Sequence, residues 1–167
     1  MAETRYGNFP EFAMKLQGRI HVIIAMPLVL FVYLLIKIEN GQLFPGILPA
    51  GTHYSLRMIA AAFSISIISM AMIYAWLSTK KARRQVSLRR KLNHYFRISV
   101  YRMALMLAAM TVNLTGMALT GERIYAAFFG IVLVSALMGY PSPSRIIHLL
   151  GLNEKESDII YNREPIG

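Results

Sequence analysis

The stretch that decides the fold is residues 58–79, which read MIAAAFSISIISMAMIYAWLST. It contains no charged side chain and lies between Arg57 and Lys80. A helix needs about 20 mainly apolar residues to cross the hydrocarbon core of a bilayer. The stretch therefore predicts a transmembrane helix.

Three further apolar stretches indicate spans of the same kind, at residues 20–38, 98–120 and 124–140. The composition agrees, because only 16% of the 167 residues are charged, against about 25% in average soluble domains. We predict an all-α integral membrane protein with four transmembrane helices. The expected parts are a cytoplasmic amphipathic segment at 1–19, a transmembrane domain at 20–140 with a basic cytoplasmic loop at 80–97, and a cytoplasmic helical tail at 141–167.

The distribution of Lys and Arg predicts how these spans are oriented. With the amino terminus inside, fifteen of the eighteen basic residues fall on the cytoplasmic side, and only Lys37, Arg57 and Arg123 fall on the other side. Basic residues near the ends of transmembrane helices favour the cytoplasm. We therefore expect both termini to be cytoplasmic, in a bacterial inner (cytoplasmic) membrane. Glu122 and Arg123, in the outer turn, are expected to be solvated.

Short amphipathic helices are predicted at both ends of the chain. Residues 8–19, NFPEFAMKLQGR, indicate a short helix at the membrane interface before the first span. In the tail, Ser142 and Pro143 are typical of the start of a helix that Gly151 ends. Asn153, with Glu156 three residues later, is typical of the start of a second helix. We expect this tail to fold under the basic loop or to dock on another subunit.

Residues 78–102, STKKARRQVSLRRKLNHYFRISVYR, carry nine basic and no acidic side chains. Apolar residues at helical spacing from Leu88 predict that the second and third spans continue as helices past the membrane surface. We expect anionic lipid head groups as the first partner and an acidic protein surface as the second, and no nucleic acid. Arg102, one turn inside the third span, is expected to reach the inner surface. The candidate docking residues are Lys80, Lys81, Arg83, Arg84, Arg89, Arg90, Lys91, Arg97 and Arg102.

Polar residues within the spans form a second candidate site. Asn113 is the clearest of them, because its amide needs hydrogen-bond partners within hydrocarbon. Helix packing and pore lining are both open as roles for this set. Pro27, inside the first span, is expected to kink the helix because it removes a backbone hydrogen bond. The intramembrane polar residues are Ser64, Ser66, Ser69, Thr111, Asn113, Thr115 and Ser135.

Motifs for catalysis are missing from the sequence, which has no cysteine, no glycine-rich phosphate loop and no paired carboxylates at catalytic spacing. We expect no enzyme, no catalytic residue, no cofactor and no metal. The favoured function is a non-enzymatic structural or accessory subunit of a larger inner-membrane complex for transport, secretion or respiration. One alternative is a small homo-oligomeric channel or transporter that uses polar faces of the second and third helices. A weaker alternative is a haem-binding electron carrier using His21 and His94.

Overall fold

The computed structural model describes residues 7–42, 50–162 and 164–166. These ranges contain helices and no β-strand, which confirms the predicted all-α class. Residues 43–49 of the connection expected between the first two spans lie outside the described residues. The helices are α1 (Phe9–Glu39), α2 (Ala50–Arg83), α3 (Leu88–Thr120), α4 (Ile124–Leu137), α5 (Pro143–Leu150) and α6 (Glu154–Tyr161).

Three of the helices, α1, α2 and α3, are long and apolar enough to cross a membrane, which indicates a helical membrane protein. The fourth apolar helix, α4, has 14 residues. At 1.5 Å per residue it rises about 21 Å, less than the roughly 30 Å of the hydrocarbon core. A fourth crossing over residues 124–140 stays a prediction. Because α4 alone is too short, such a crossing would have to include the residues that flank it.

The amino-terminal amphipathic segment differs from the sequence prediction. It is not a separate short helix, because α1 runs without interruption from Phe9 through Pro27 to Glu39. Its apolar face is also covered by protein, since the Phe12 and Phe96 rings pack edge to face with centroids 6.1 Å apart. The kink at Pro27 stays a prediction. The buried side chains of this face are Phe9, Phe12, Leu16 and Ile20.

The basic run forms helix ends, as its apolar spacing predicts. α2 continues to Arg83 and α3 begins at Leu88, so only residues 84–87 connect them. Both helices are therefore longer than the apolar spans within them. The parts of α2 and α3 that extend past the apolar spans carry basic residues, and both lie at the same end of this helical hairpin.

The caps predicted for the tail helices are confirmed. The Ser142 hydroxyl accepts a hydrogen bond from the backbone N–H of Arg145, and Gly151 ends α5 in the left-handed conformation, with φ 56°. Asn153 and Glu156 each accept a hydrogen bond from the other's backbone N–H, which forms a capping box for α6. These local bonds explain why two helices of eight residues each are formed in the tail.

The chain separates into two compact units. The first contains the described residues of Met1–His21, Met72–Arg102 and Tyr140–Gly167, and the second contains those of Val22–Ala71 and Met103–Gly139. In the first unit the first and last described residues of the chain meet, because the backbone N–H of Ile166 donates to the carbonyl of Gly7 at 3.0 Å.

The second unit has a small core around Ala60, Met117 and Tyr125. At Gly116 of α3 two helices pack closely, because a Cβ atom there would overlap the ring of Tyr125 from α4. The Phe31 and Phe129 rings stack in parallel with centroids 4.4 Å apart. Aromatic rings of α1 and α4 therefore take part in the packing of this unit.

Candidate functional site

The first unit contains a pocket of about 220 Å³ between residues of α2, α3 and α5. Four of its lining side chains are cationic, and none of the described lining residues is Asp or Glu. Most of the others are apolar, so the pocket combines positive charge with an apolar wall. We call it the cationic pocket. Its lining is Met72, Ala75, Trp76, Thr79, Lys80, Arg83, Arg102, Arg145 and Leu149.

Helical spacing on α2 places one wall of the cationic pocket. Trp76, Lys80 and Arg83 lie at i, i+4 and i+7, which is a single face of a helix. Lys80 Nζ lies 3.5 Å from the centroid of the Trp76 ring, a cation–π contact. The Thr79 hydroxyl donates to the Ala75 carbonyl at 2.6 Å and is thereby satisfied by its own helix.

Arg83 fixes α5 against the end of α2. Its Nε donates to the Leu149 carbonyl at 2.6 Å and its Nη2 to the His148 carbonyl at 3.3 Å. Carbonyls in the last turn of a helix lack a partner within the helix, and a cation there also interacts favourably with the helix dipole. This contact holds α5 so that Arg145 and Leu149, one turn apart, line the cationic pocket.

The nine cations predicted as one docking set have different surroundings. The structure brings Lys80, Arg83 and Arg102 together in the cationic pocket. Arg145 joins them, although sequence reasoning counted it only in the charge distribution. The one available signal was its place in a short amphipathic helix expected to fold under the basic loop.

Lys91 belongs to a different contact. Its Nζ lies 2.7 and 2.8 Å from the two carboxylate oxygens of Glu156, and only 10% and 13% of the two side chains are exposed. Lys91 thus holds α6 of the tail on α3. A docking role stays a prediction for all nine cations. Of those outside the cationic pocket and the ion pair, Lys81, Arg84, Arg90 and Arg97 are exposed and Arg89 is half-buried.

In the second unit, Asn113 and Ser64 join α3 to α2. Asn113 is fully buried, and its Nδ2 donates to Ser64 Oγ and to the Ala109 carbonyl, both at 2.9 Å. Its Oδ1 has no hydrogen-bond partner in the described ranges. An amide that forms a hydrogen bond from one helix to another in this way favours the packing role over the pore role for these two residues.

The other intramembrane polar residues lie elsewhere. Thr111 and Thr115 are exposed on α3, on a different side from Asn113, and each donates to the carbonyl four residues earlier at 2.9 Å. Ser135 makes the same kind of bond within α4 at 2.8 Å. Ser66 and Ser69 are exposed on α2. Because Asn113 and the two threonines point in different directions, α3 does not present them as one polar face.

The exposed face of α3 carries a row of small residues beside an apolar groove. Ala104, Ala108, Thr111 and Thr115 are all exposed and lie at i, i+4, i+7 and i+11. Next to them, side chains of α1 and α3 line a groove of about 550 Å³. We call this the α1–α3 groove. Its lining is Met26, Pro27, Leu30, Tyr33, Leu34, Leu107, Thr111, Leu114, Thr115, Ala118 and Leu119.

Glu122, which the sequence predicts to be solvated, is half-buried and ion-paired. Both nitrogens Nε and Nη2 of Arg57 bind its carboxylate, the former at 2.6 Å, and His53 Nδ1 lies 3.3 Å away. The bond from Arg57 keeps the pKa of Glu122 below its ordinary value. Arg123, by contrast, is 75% exposed and pairs with Glu39 at 2.9 Å.

The two histidines of the haem hypothesis have different neighbours. His21 Nε2 lies 3.3 Å from the Tyr140 hydroxyl, whereas His94 Nε2 is buried without a hydrogen-bond partner in the part of the chain that the structure describes. No group of three or more His, Asp or Glu residues suited to a metal ion occurs among the described residues.

Comparison with known proteins finds no match to a family model, to a curated protein or to a solved structure. Functional inference therefore depends on the contacts described above, chiefly those of the cationic pocket and of the α1–α3 groove.

Proposed function

We propose that the protein is a non-enzymatic accessory subunit of a larger membrane complex, and that its α1–α3 groove receives a transmembrane helix of another subunit. The observation that carries this proposal is the row of small residues on the exposed face of α3, beside an apolar groove. Small side chains allow two helix backbones to approach closely, which is how helices associate in lipid.

The chemistry of the groove suits another helix. Since the hydroxyls of Thr111 and Thr115 are bonded to carbonyls of their own helix, they leave no donor that a partner would have to satisfy. The described residues also give α1 little cover, because only 11% of its most apolar stretch is buried, against 50% for α3. Another subunit would cover part of this apolar surface.

We further propose four membrane crossings with both termini cytoplasmic, in a bacterial inner membrane. The first unit collects the described amino-terminal residues, the connection between α2 and α3, and the tail. After α3 the chain has to return to that unit, and α4 with its flanking residues supplies the return. The excess of Lys and Arg in these same three segments supports a cytoplasmic location for them.

A bulky substitution in the row of small residues tests the subunit role. Purified in mild detergent from its native membrane, the protein should appear in a particle that contains a second polypeptide. Ala108→Leu should release that polypeptide, whereas Ala127→Leu, at an exposed alanine of α4 outside the row of small residues, should retain it. A wild-type particle containing only this chain would overturn the proposal, as would equal behaviour of the two variants.

The alternative of a homo-oligomeric channel draws on the exposed hydroxyls of Ser66, Ser69, Thr111 and Thr115. In that case, liposomes containing only this protein should show ion or solute flux that falls in Thr111→Val and Thr115→Val. These variants keep side-chain shape and remove the hydroxyl. Asn113 is a poor probe of a pore, because it is buried within the chain.

A further inference from the structure

We propose that the cationic pocket binds the head group of a phospholipid carrying two negative charges, such as phosphatidic acid or diphosphatidylglycerol. This inference goes beyond the proposed subunit role and does not depend on it. It rests on the cationic pocket of the first unit, whereas the subunit role rests on the groove of the second.

The charge of the lining favours an anion. Lys80, Arg83, Arg102 and Arg145 all line one space, and no carboxylate does so among the described lining residues. Four like charges around a partly apolar space repel one another, and a doubly charged anion between them lowers that repulsion. Basic pockets between membrane helices are typical sites for such head groups.

The apolar wall favours a lipid over a soluble anion. Met72, Ala75, Trp76 and Leu149 line the cationic pocket. The first three belong to the uncharged stretch of α2, one of the helices long and apolar enough to cross a membrane. The pocket's volume of about 220 Å³ is below the roughly 300 Å³ of the smallest sites for drug-sized ligands. It therefore accommodates a head group, while the acyl chains lie along α2.

The cations have separate roles in this arrangement. The guanidinium groups of Arg102 and Arg145 bind phosphate oxygens, because their planar donors match phosphate geometry. Lys80, held over Trp76, supplies a point charge at the rim. Arg83 acts as a positioning residue, since its bonds to the Leu149 and His148 carbonyls hold the helix that carries Arg145.

Trp76 provides the readout, because it is the only tryptophan of the chain and it lines the cationic pocket. The purified protein is placed in phosphatidylcholine nanodiscs that contain a small fraction of lipid with brominated acyl chains, which quench tryptophan fluorescence on contact. Brominated phosphatidic acid should quench Trp76 more strongly than brominated phosphatidylcholine at the same mole fraction. In Arg145→Gln the apparent affinity for brominated phosphatidic acid should fall about fivefold, which is the usual effect of one basic residue at an anionic membrane surface.

Arg84→Gln is the matched control, because Arg84 is exposed in the same basic run but does not line the cationic pocket. Its quenching should equal that of the wild type. If size-exclusion chromatography shows that Arg145→Gln does not fold, Lys80→Gln replaces it, since Lys80 takes no part in the contact between Arg83 and α5.

Three results would overturn the proposal. Equal quenching by the two brominated lipids would mean that the cationic pocket has no preference for an anion. An equal loss in Arg84→Gln would indicate general attraction to a charged surface. Reversal of quenching by millimolar inorganic phosphate would assign the site to a soluble phosphate compound. Selective quenching that persists in Ala108→Leu would support the lipid site even if the subunit role fails.

Discussion

Lys91 and Glu156 form a largely buried ion pair across 65 positions of sequence, with Nζ 2.7 and 2.8 Å from the two carboxylate oxygens. The same carboxylate accepts the backbone N–H of Asn153 at 3.2 Å in the capping box of α6. One side chain therefore starts a helix and attaches it to α3. Folding of α6 and its docking are coupled for this reason.

Glu156→Ala should release α6 from the first unit. Loss of one partner leaves the Lys91 ammonium largely buried without its counter-ion, which costs about 3 kcal/mol in such pairs. Limited trypsin digestion should then cleave after Lys155 several times faster than in the wild type. Glu154→Ala, at an exposed acid of the same helix, serves as the control, and equal rates for both variants would contradict the prediction.

Gly116→Ala should destabilise the second unit by about 1–3 kcal/mol, because the added methyl group overlaps the Tyr125 ring. The helical glycine Gly130 has no atom within 4 Å of its missing Cβ position, so Gly130→Ala should be neutral or slightly stabilising. The thermal midpoint in detergent, followed by circular dichroism, measures both effects. Similar midpoints for the two variants would show that Tyr125 can move aside.

The hydrogen bond between Asn113 and Ser64 should give a measurable coupling energy. Hydrogen bonds between membrane helices contribute about 0.6 kcal/mol on average and at most about 1.7. A double-mutant cycle of Asn113→Leu and Ser64→Ala, read from unfolding in mixed micelles, should fall in that range. Strict additivity of the two substitutions would rule out an energetic contribution from this bond.

Stability of the second unit should fall in acid because of Glu122. The bond from Arg57 lowers the pKa of Glu122 below its ordinary value of 4.5, so the folded state holds this proton less tightly than the unfolded state. The resulting stabilisation is present above about pH 4.5 and is lost as pH falls through the lower, folded pKa.

Thermal midpoints measured between pH 7 and pH 3 check this prediction. The difference between the wild type and Glu122→Gln should shrink toward the acidic end. Glu39→Gln is the comparison, since the pair of Glu39 with Arg123 is exposed and such pairs contribute little. A difference in thermal midpoint that stays constant with pH would contradict the assignment of the acid sensitivity to Glu122.

The parts of the fold that depend on local sequence were predictable. Ser142 and Asn153 identify the helix starts of the tail, because capping uses residues only three positions apart. The apolar spacing after Leu88 likewise predicts the extension of α3. The full length of α1 was harder to predict, because the change of composition near Arg19 marks a change of environment and not the end of a helix.

The site depends on contacts that sequence spacing does not reveal. Arg83 and Leu149 are 66 positions apart, and no local pattern shows that α5 docks beside the end of α2. Nine cations in one run look equivalent in the sequence, although Lys91 is neutralised by Glu156 and Lys80 lines the cationic pocket. The close approach at Gly116 also leaves no signal in the sequence, since a glycine in an apolar helix has several ordinary explanations.

The attachment of α5 has an evolutionary consequence. Arg83 bonds to backbone carbonyls of His148 and Leu149, and every amino acid carries such a carbonyl. Substitution at position 148 can therefore accumulate without loosening this contact, whereas position 83 requires a long cationic donor. Among related chains we expect position 83 to vary far less than position 148, and that contrast would mark the attachment in sequences whose structures have not been determined.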